Sequence, residues 1–260
     1  MARLIQLTDI HFGGEDAPAL EAALAYVRAA RPDLVVLTGD ITLNGTPREF
    51  RAAQAFLQRL PKPWLSTPGN HDTPYWNLPL RALTPFRRYR RYIGPPHGGD
   101  YRSDALAVRM LNTARGAQPR PDWSKGAIGL QAVEASIEAF EAAPLGALRV
   151  LACHHPLVEA IDAPVTGGVH RGAAAAHRLA EGGVDLILTG HVHNPFAIPL
   201  PYGDEKTYAV GAGTLSLRLR GTPPSFNDIL IEPGCVRVTA QGYVNGRYEP
   251  WRTWALPRRS

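Results

Sequence analysis

Short apolar runs alternate with helical patterns over the first two-thirds of the chain. Each run is only a few residues long, and polar or turn-forming residues follow it. Runs of this kind are typical of buried strands. They predict strands over residues 4–8, 33–38, 64–67, 150–153 and 184–189.

The segments between these runs carry helical signals. Leu20, Leu24 and Val27 fall on one face of a helix predicted over residues 16–30. Thr46, Pro47 and Glu49 form a capping-box sequence with proline in the first turn, so a second helix should begin there. Further helices are predicted over residues 81–92 and 130–142. This alternation of strands and helices is typical of an α/β domain.

The pattern changes after Ile198 to short β-like runs separated by turns. They cover residues 207–210, 215–219, 226–232 and 236–244 and predict a second, largely antiparallel sheet. Because no low-complexity linker or sharp change of composition interrupts the 260 residues, we expect one domain over residues 1–260.

Composition narrows the class of protein. Apolar residues make up 45% and charged residues 20%, a globular mixture. No apolar stretch approaches the length needed to cross a bilayer, and the strand pattern that begins by Leu4 leaves no room for a signal peptide. We therefore expect a soluble, cytoplasmic protein with no membrane partner.

Cysteine content and charge limit the chemistry further. With only Cys153 and Cys235, a disulfide framework or thiolate metal site is excluded, so any metal must be held by nitrogen and oxygen. The net charge of +5 suits a small anionic substrate. It is too modest to indicate nucleic-acid binding, which we regard as an alternative only.

Five apolar runs are each followed by side chains that can bind a metal ion. In open α/β sheets the ligand site lies beyond the carboxyl ends of the strands, so these positions can converge. Their acids, amide and imidazoles suit manganese, iron or zinc. The positions are Asp9 with His11, Asp40, Asn70 with His71, His154 with His155, and His191 with His193.

These ligands are too many for one tetrahedral ion. Two divalent or transition-metal ions about 3.5–4 Å apart, bridged by a carboxylate and a water, would use them all. Gly39, Gly69 and Gly190 each precede one of these residues, where the chain must leave a strand sharply and bring its backbone close to the metals.

The ordered motifs resemble those of the calcineurin-like metallophosphoesterases. The motifs are Asp9-Ile-His11, Gly39-Asp40, Gly69-Asn70-His71-Asp72, His154-His155-Pro156 and Gly190-His191-Val192-His193. Within that superfamily, the chain is similar to the bacterial cyclic-nucleotide and glycerophosphodiester phosphodiesterases. The resemblance implies a four-layer αββα sandwich, in which helices flank two mixed β-sheets.

The resemblance also implies a role for each motif residue. Asp9, His11 and His193 would bind one metal, and Asn70, His154 and His191 the second, with Asp40 bridging. His71 would act on the substrate as a hydrogen-bond or proton donor. His155 would either support His154 or contact substrate.

The expected function is a dinuclear metal-dependent phosphodiesterase acting on cyclic nucleotides or glycerophosphodiesters. Two metal ions would offset the negative charge of the substrate, and a hydroxide bridging them would attack phosphorus in line. The alternatives are a nuclease or phosphomonoesterase using the same site, or a scaffold protein without activity.

The sequence leaves two features near these motifs open. The arginines between Arg81 and Arg91 fit either a solvated helix face or a clamp for anionic substrate. Tyr75 and Trp76 fit either ordinary packing, which we favour, or a pocket wall.

Overall fold

The computed structural model describes residues 2–120, 122–159 and 168–259. The strands are, in chain order, β1 (Ala2–Leu7), β2 (Leu34–Leu37), β3 (Trp64–Ser66), β4 (Asp100–Arg102), β5 (Leu106–Met110), β6 (Leu148–Ala152), β7 (Leu186–Thr189), β8 (Phe196–Pro199), β9 (Tyr208–Gly211), β10 (Ser225–Glu232), β11 (Cys235–Val244) and β12 (Arg247–Pro257).

These strands form two six-stranded sheets. The first has the order β12-β11-β10-β1-β2-β3, and the second has the order β4-β5-β6-β7-β9-β8. Both sheets are mixed. In the first, β1, β2 and β3 are parallel and β10 runs antiparallel to β1. In the second, β5, β6, β7 and β9 are parallel.

The helices are α1 (Ala17–Ala30), α2 (Pro47–Leu57), α3 (Leu78–Leu83), α4 (Arg87–Tyr92), α5 (Leu130–Glu141) and α6 (Gly172–Glu181). Asp16 caps α1 by accepting a hydrogen bond from the Ala19 amide. The predicted capping box is present at the start of α2, where the Thr46 and Glu49 side chains each bond the other residue's backbone amide. Among the described residues, none of these helices is long and apolar enough to cross a bilayer.

The layers follow from the alternation of side chains along the strands. Leu4 and Val36 belong to the core between the two sheets, whereas Ile5 and Val35 pack beneath α1 and α2 on the outer face. The outer face of the second sheet packs against α5 and α6. This arrangement of helices, two sheets and helices confirms the α/β sandwich expected from the sequence.

The C-terminal strands differ from the prediction. The antiparallel strands β10, β11 and β12 extend the first sheet beside β1 instead of forming a sheet of their own. The predicted strand over residues 215–219 is a loop, with only an isolated bridge between Glu15 and Ser216. The prediction was wrong because the alternating leucines do not form one buried face: Leu215 is buried, whereas Leu217 is 69% exposed.

One predicted helix is divided in two. The segment 81–92 contains the end of α3 and all of α4, and the two helices are separated around Pro85. Proline disfavours helical geometry in the residue before it, so one continuous helix cannot form.

Polar side chains tie the two sheets together beside the strand ends. The Gln6 amide of β1 donates a 2.9 Å hydrogen bond to the Thr189 carbonyl of β7. Asn227 of β10 donates to both Gln6 and the Gly211 carbonyl of β9, at 3.0 Å each. The carboxyl ends of the parallel strands in both sheets are therefore held at one edge.

Candidate metal centre

The segments after β1, β2, β3, β6 and β7 meet at this edge through backbone hydrogen bonds. The Asp9 amide donates to the Gly39 carbonyl, and the His11 amide donates to the Asp40 carbonyl, both at 3.0 Å. The Gly190 amide donates to the His154 carbonyl at 2.9 Å. Backbone contacts therefore bring the predicted ligands into one cluster.

Several of these residues have left-handed backbone conformations. The φ angles are between 49° and 70° at Asp9, His11, Asp40, His191 and His193. Such conformations are uncommon for residues other than glycine, and they concentrate where a functional site needs a special chain direction. Here they turn the chain immediately beyond β1, β2 and β7.

The glycines that precede the ligands are required for space. A Cβ atom on Gly69 would lie 2.1 Å from Oδ1 of Asp40, and one on Gly190 would lie 2.5 Å from Oδ2 of Asp9. Gly39 is also left-handed, with φ of 89°. These approaches agree with the sequence-based expectation that each glycine lets backbone and ligand side chains come close together.

One group of candidate ligands surrounds Asp9. Oδ1 of Asp9 lies 3.0 Å from Nε2 of His193 and 3.7 Å from Nε2 of His11. The two histidine Nε2 atoms are 3.3 Å apart. The other oxygen, Oδ2, accepts hydrogen bonds from the Thr8 hydroxyl at 2.7 Å and the His191 amide at 2.9 Å. Ligand atoms of Asp9, His11 and His193 therefore converge on one point, as they would around a cation.

A second group surrounds Asp40. Its Oδ2 lies 3.3 Å from Nε2 of His154 and 3.8 Å from Nε2 of His11. His154 donates from Nδ1 to the Thr38 carbonyl at 2.7 Å, which leaves Nε2 directed at the cluster. The Oδ1 atom of Asn70 is buried without a hydrogen-bond partner among the described residues, and the Nε2 atom of His154 faces the Asp40 carboxylate without a well-aligned hydrogen bond. Both atoms are therefore available to ligate a metal ion.

Burial and the charges within the cluster determine which of its side chains are protonated. Burial would raise the pKa of Asp9 and Asp40, but nearby histidines hold the pKa of both carboxyl groups below the usual range. Burial lowers the pKa of His11 to about 3 and that of His191 to about 4. Ionised carboxylates and neutral imidazoles are the forms that bind metals.

His154 differs from these two histidines. Burial opposes its charged form, but the adjacent Asp40 raises the pKa of His154 to about 9. In the absence of a metal ion, His154 and Asp40 therefore form a buried ion pair.

His155 is fully buried and its ring is held within the protein. Nε2 donates to the Ser124 carbonyl at 2.9 Å, so the Thr113 hydroxyl must donate to Nδ1, 2.8 Å away. His155 packs beside His154 and His191, yet both of its nitrogens are already hydrogen-bonded. This geometry suits the supporting role left open by the sequence better than contact with a substrate.

His71 lies at the rim of the cluster and is only partly buried. Its amide donates to Oδ1 of Asp40 at 2.8 Å, and its ring Nδ1 donates to the Leu43 carbonyl at 2.6 Å. The Tyr75 ring stacks on the imidazole with 5.4 Å between centroids. The Nε2 edge of His71 is therefore the part of the ring that neither the Leu43 carbonyl nor the Tyr75 ring covers.

Asp72 holds the loops beneath Asp40 together. Its Oδ2 accepts from the amides of Gly69 at 2.9 Å and Ile41 at 3.2 Å. Its Oδ1 accepts from the Thr42 amide at 2.8 Å and the Thr42 hydroxyl at 2.9 Å. The sequence analysis included Asp72 in a motif but gave it no role. Its four hydrogen-bond donors come from two segments of the chain, and residue spacing does not predict such contacts.

Sequence reasoning missed Arg218, which contacts the rim of the cluster. Its Nη1 lies 3.0 Å from Nε2 of His71, and its carbonyl accepts from Nδ1 of His193 at 2.7 Å. The only signal was a pair of arginines among alternating leucines, which was interpreted as a strand.

In the segment 81–91, Arg87, Arg90 and Arg91 are exposed, as on a solvated helix face, but Arg81 is not. Arg81 is buried and donates to the carbonyls of Gly116 at 3.0 Å and Trp123 at 3.2 Å. Its guanidinium lies 5.6 Å from the centre of the Tyr75 ring. Arg81 therefore supports the tyrosine that stacks on His71, whereas Trp76 is 79% exposed and is not packed as expected.

Fold, motif order and ligand cluster define the class of protein. Residues 2–195 match the sequence profile described as calcineurin-like phosphoesterase. The chain belongs to the calcineurin-like phosphoesterase family.

Two curated relatives represent the bacterial branch. A probable cyclic nucleotide phosphodiesterase of Synechococcus sp. (strain WH7803) is 32% identical over 212 residues, covering 74% of this chain and 75% of the relative. The glycerophosphodiester phosphodiesterase GpdQ of Enterobacter lignolyticus is 38% identical over 86 residues, covering 31% of this chain. That second match spans only 28% of the relative's length.

Solved structures share the fold at low sequence identity. A dimetal phosphatase from Danio rerio superimposes with a TM-score of 0.72 at 11% identity, covering 99% of each chain. The purple acid phosphatase PPD1 of yellow lupin gives a TM-score of 0.67 at 13% identity, covering 99% of this chain and 54% of that one.

Proposed function

We propose that this protein is a dinuclear metal-dependent phosphodiesterase acting on cyclic nucleotides or glycerophosphodiesters. The observation that carries the proposal is the convergence of two buried ligand groups, one around Asp9 and one around Asp40, together with the unpartnered Oδ1 atom of Asn70. The names of the relatives support the choice of substrates.

The proposed ligand set divides between the two groups. Asp9, His11 and His193 would hold one ion, and their ligand atoms lie within 4.8 Å of one another. Asn70, His154 and His191 would hold the other. Asp40 would contact both ions, since its Oδ2 atom lies within 4 Å of both His11 and His154.

The mixed nitrogen and oxygen donors suit manganese, iron or zinc. When bound, two such ions supply positive charge for the phosphoryl oxygens and lower the pKa of a coordinated water. The protein contributes by fixing its ligands before substrate arrives. The Thr38 carbonyl fixes the ring of His154 and the Arg218 carbonyl fixes that of His193, so both present Nε2 to the centre.

His71 would act on the substrate from the edge of the centre. Because Nδ1 donates to the Leu43 carbonyl, Nε2 is the nitrogen left to face the substrate. With a proton on Nε2, His71 would donate a hydrogen bond to a phosphoryl oxygen or give that proton to the departing alkoxide. The stacked Tyr75 ring keeps the imidazole in this orientation. His155 would support the site by joining His154 to the segment that contains Ser124.

Metal-dependent hydrolysis tests the proposal. Protein treated with a chelator and reloaded with Mn²⁺, Fe²⁺ or Zn²⁺ should hydrolyse bis(p-nitrophenyl) phosphate, and then either a cyclic nucleotide or a glycerophosphodiester. Asp9→Ala should lose this activity, whereas Asp104→Ala, at an exposed position away from the cluster, should keep it.

The competing functions give different results. Preference for p-nitrophenyl phosphate would indicate a phosphomonoesterase, and preference for oligonucleotides would indicate a nuclease. Absence of hydrolysis of every phosphoester under all three metals would overturn the proposal.

A further inference from the structure

The loop over residues 212–224, between β9 and β10, borders the metal centre. The Thr214 hydroxyl donates to the Asp9 carbonyl at 2.7 Å, and the Leu217 amide donates to the Gly14 carbonyl at 3.0 Å. The Thr222 hydroxyl donates to the carbonyl of His193 at 3.2 Å. The loop is therefore attached to segments that carry candidate ligands from both sheets.

Two arginines of this loop lie near the centre. Arg218 is exposed, as Leu217 and Leu219 are, but its guanidinium reaches His71 at the rim of the cluster. Arg220 is partly buried.

The contact between Arg218 and His71 has a defined direction. Because Nδ1 of His71 donates to the Leu43 carbonyl, Nε2 carries the lone pair and accepts from Nη1 of Arg218 at 3.0 Å. A guanidinium donor thus occupies the same edge of His71 that would face a phosphoryl group. It sits where an anionic substrate oxygen would be bonded.

Arg220 has an unsatisfied donor beside the same site. Its Nη1 atom is buried and has no hydrogen-bond partner within the described part of the chain. Burial and the neighbouring charge of Arg218 lower the pKa of Arg220, and the charge of Asp9 opposes this effect. An arginine remains charged in proteins, so a buried guanidinium donor without a partner favours an anionic ligand.

We propose that Arg218 and Arg220 bind the phosphoryl group of the substrate beside the metal centre. On binding, Arg218 exchanges Nε2 of His71 for a non-bridging phosphoryl oxygen, and Arg220 supplies its free Nη1 donor to the same group. The Nε2 edge of His71 is then free to face the substrate. This role rests on the proposed function, and it adds two residues that the metal-ligand motifs do not contain.

Binding of inorganic phosphate tests the proposal without turnover. Phosphate is titrated calorimetrically into Mn²⁺-loaded wild-type protein, Arg218→Ala, Arg220→Ala and the double variant. Because each single substitution removes a charge-assisted hydrogen bond, it should weaken phosphate binding by roughly 10-fold or more. Arg218→Lys should recover part of the loss, since it keeps the charge without the forked geometry.

Two control variants separate this effect from general damage. Arg51→Ala removes an exposed arginine from α2, and Leu219→Ala alters an exposed neighbour within the same loop. Both should bind phosphate as wild type does. Manganese content is measured for every variant, because the Arg218 carbonyl also fixes the ring of His193.

The outcomes distinguish the two proposals. Unchanged phosphate affinity in Arg218→Ala and Arg220→Ala, or a loss that merely follows a loss of manganese, would overturn the role of the arginines. Absence of phosphodiester hydrolysis by the wild type would instead overturn the proposed function, and phosphate binding would still decide the role of the arginines. With an active wild type, a raised KM in the arginine variants supports binding of the substrate phosphoryl group.

Discussion

Asp40 and His71 are joined by a 2.8 Å hydrogen bond in which the His71 amide donates to Oδ1 of Asp40. The second carboxylate oxygen of Asp40 lies 3.3 Å from Nε2 of His154. One carboxylate therefore connects the loop after β3 with the loop after β6. It links the residue proposed to act on the substrate with a residue proposed to hold a metal.

Replacing Asp40 by Asn would keep the shape of the side chain but remove its charge. We expect the kcat/KM for bis(p-nitrophenyl) phosphate to fall by roughly 100-fold or more, because the bridging position needs an anionic ligand. Steady-state kinetics and metal analysis of Asp40→Asn check this, with the exposed Asp104→Asn as the matched control. Wild-type kinetics in Asp40→Asn would contradict the bridging role.

Metal binding at His154 should release a proton near neutral pH. Burial opposes its charged form, but Asp40 raises the pKa of His154 to about 9, so this side chain is protonated at pH 7 in the metal-free protein. A metal binds only the neutral imidazole, so affinity should rise between pH 7 and about 9, by roughly tenfold per pH unit for one displaced proton.

Calorimetric titration with Mn²⁺ at pH 7 measures this release. The binding heat should depend on the ionisation enthalpy of the buffer in wild type, and this dependence should be smaller by about one proton in His154→Asn. Equal proton release in the two proteins would show that His154 is not the group that loses the proton.

A methyl group at position 190 should disrupt the metal centre. In Gly190→Ala the new Cβ would lie 2.0 Å from the Thr8 hydroxyl and 2.5 Å from Oδ2 of Asp9, so Asp9 would have to move. We expect manganese affinity to fall by about 10-fold or more. Gly129→Ala is the control, since a Cβ there meets nothing within 4 Å. Wild-type affinity in Gly190→Ala would mean that Asp9 tolerates the displacement.

Asp72→Asn should destabilise the folded protein. The Asp72 carboxylate accepts four hydrogen bonds, and an amide would turn its NH₂ group toward two of the donors. We expect the free energy of unfolding to fall by about 2–4 kcal/mol. Urea denaturation of the metal-free protein measures the loss, and Asp104→Asn should leave the midpoint unchanged. A midpoint equal to that of wild type would exclude a structural role for the carboxylate.

Much of the fold could be predicted because its determinants are local. The run from Leu34 to Leu37 is apolar throughout, as a strand buried on both faces must be, and the capping box at Thr46 depends on neighbouring residues alone. The strand β12 was not predicted. Most of its residues are exposed or half-buried, so it carries no continuous apolar signal, and its place beside β11 depends on pairing across a turn.

The candidate ligands were predictable because each follows a recognisable strand. Arg218 and Arg220 could not be predicted. The loop over residues 212–224 that carries them approaches Asp9 only in the folded protein. Asp72 and Arg81 have a similar explanation. Their partners, the Thr42 amide and the carbonyl of Gly116, are distant backbone groups for which the side-chain sequence carries no signal.

The junction between the two sheets has a consequence for assembly. Asp9, His11, Asp40 and Asn70 extend from the first sheet, whereas His154, His191 and His193 extend from the second. Any ion held between these groups is a cross-link between two layers, and neither layer carries a complete site. An ion can therefore bind to the complete set of ligands only after one sheet has docked on the other during folding.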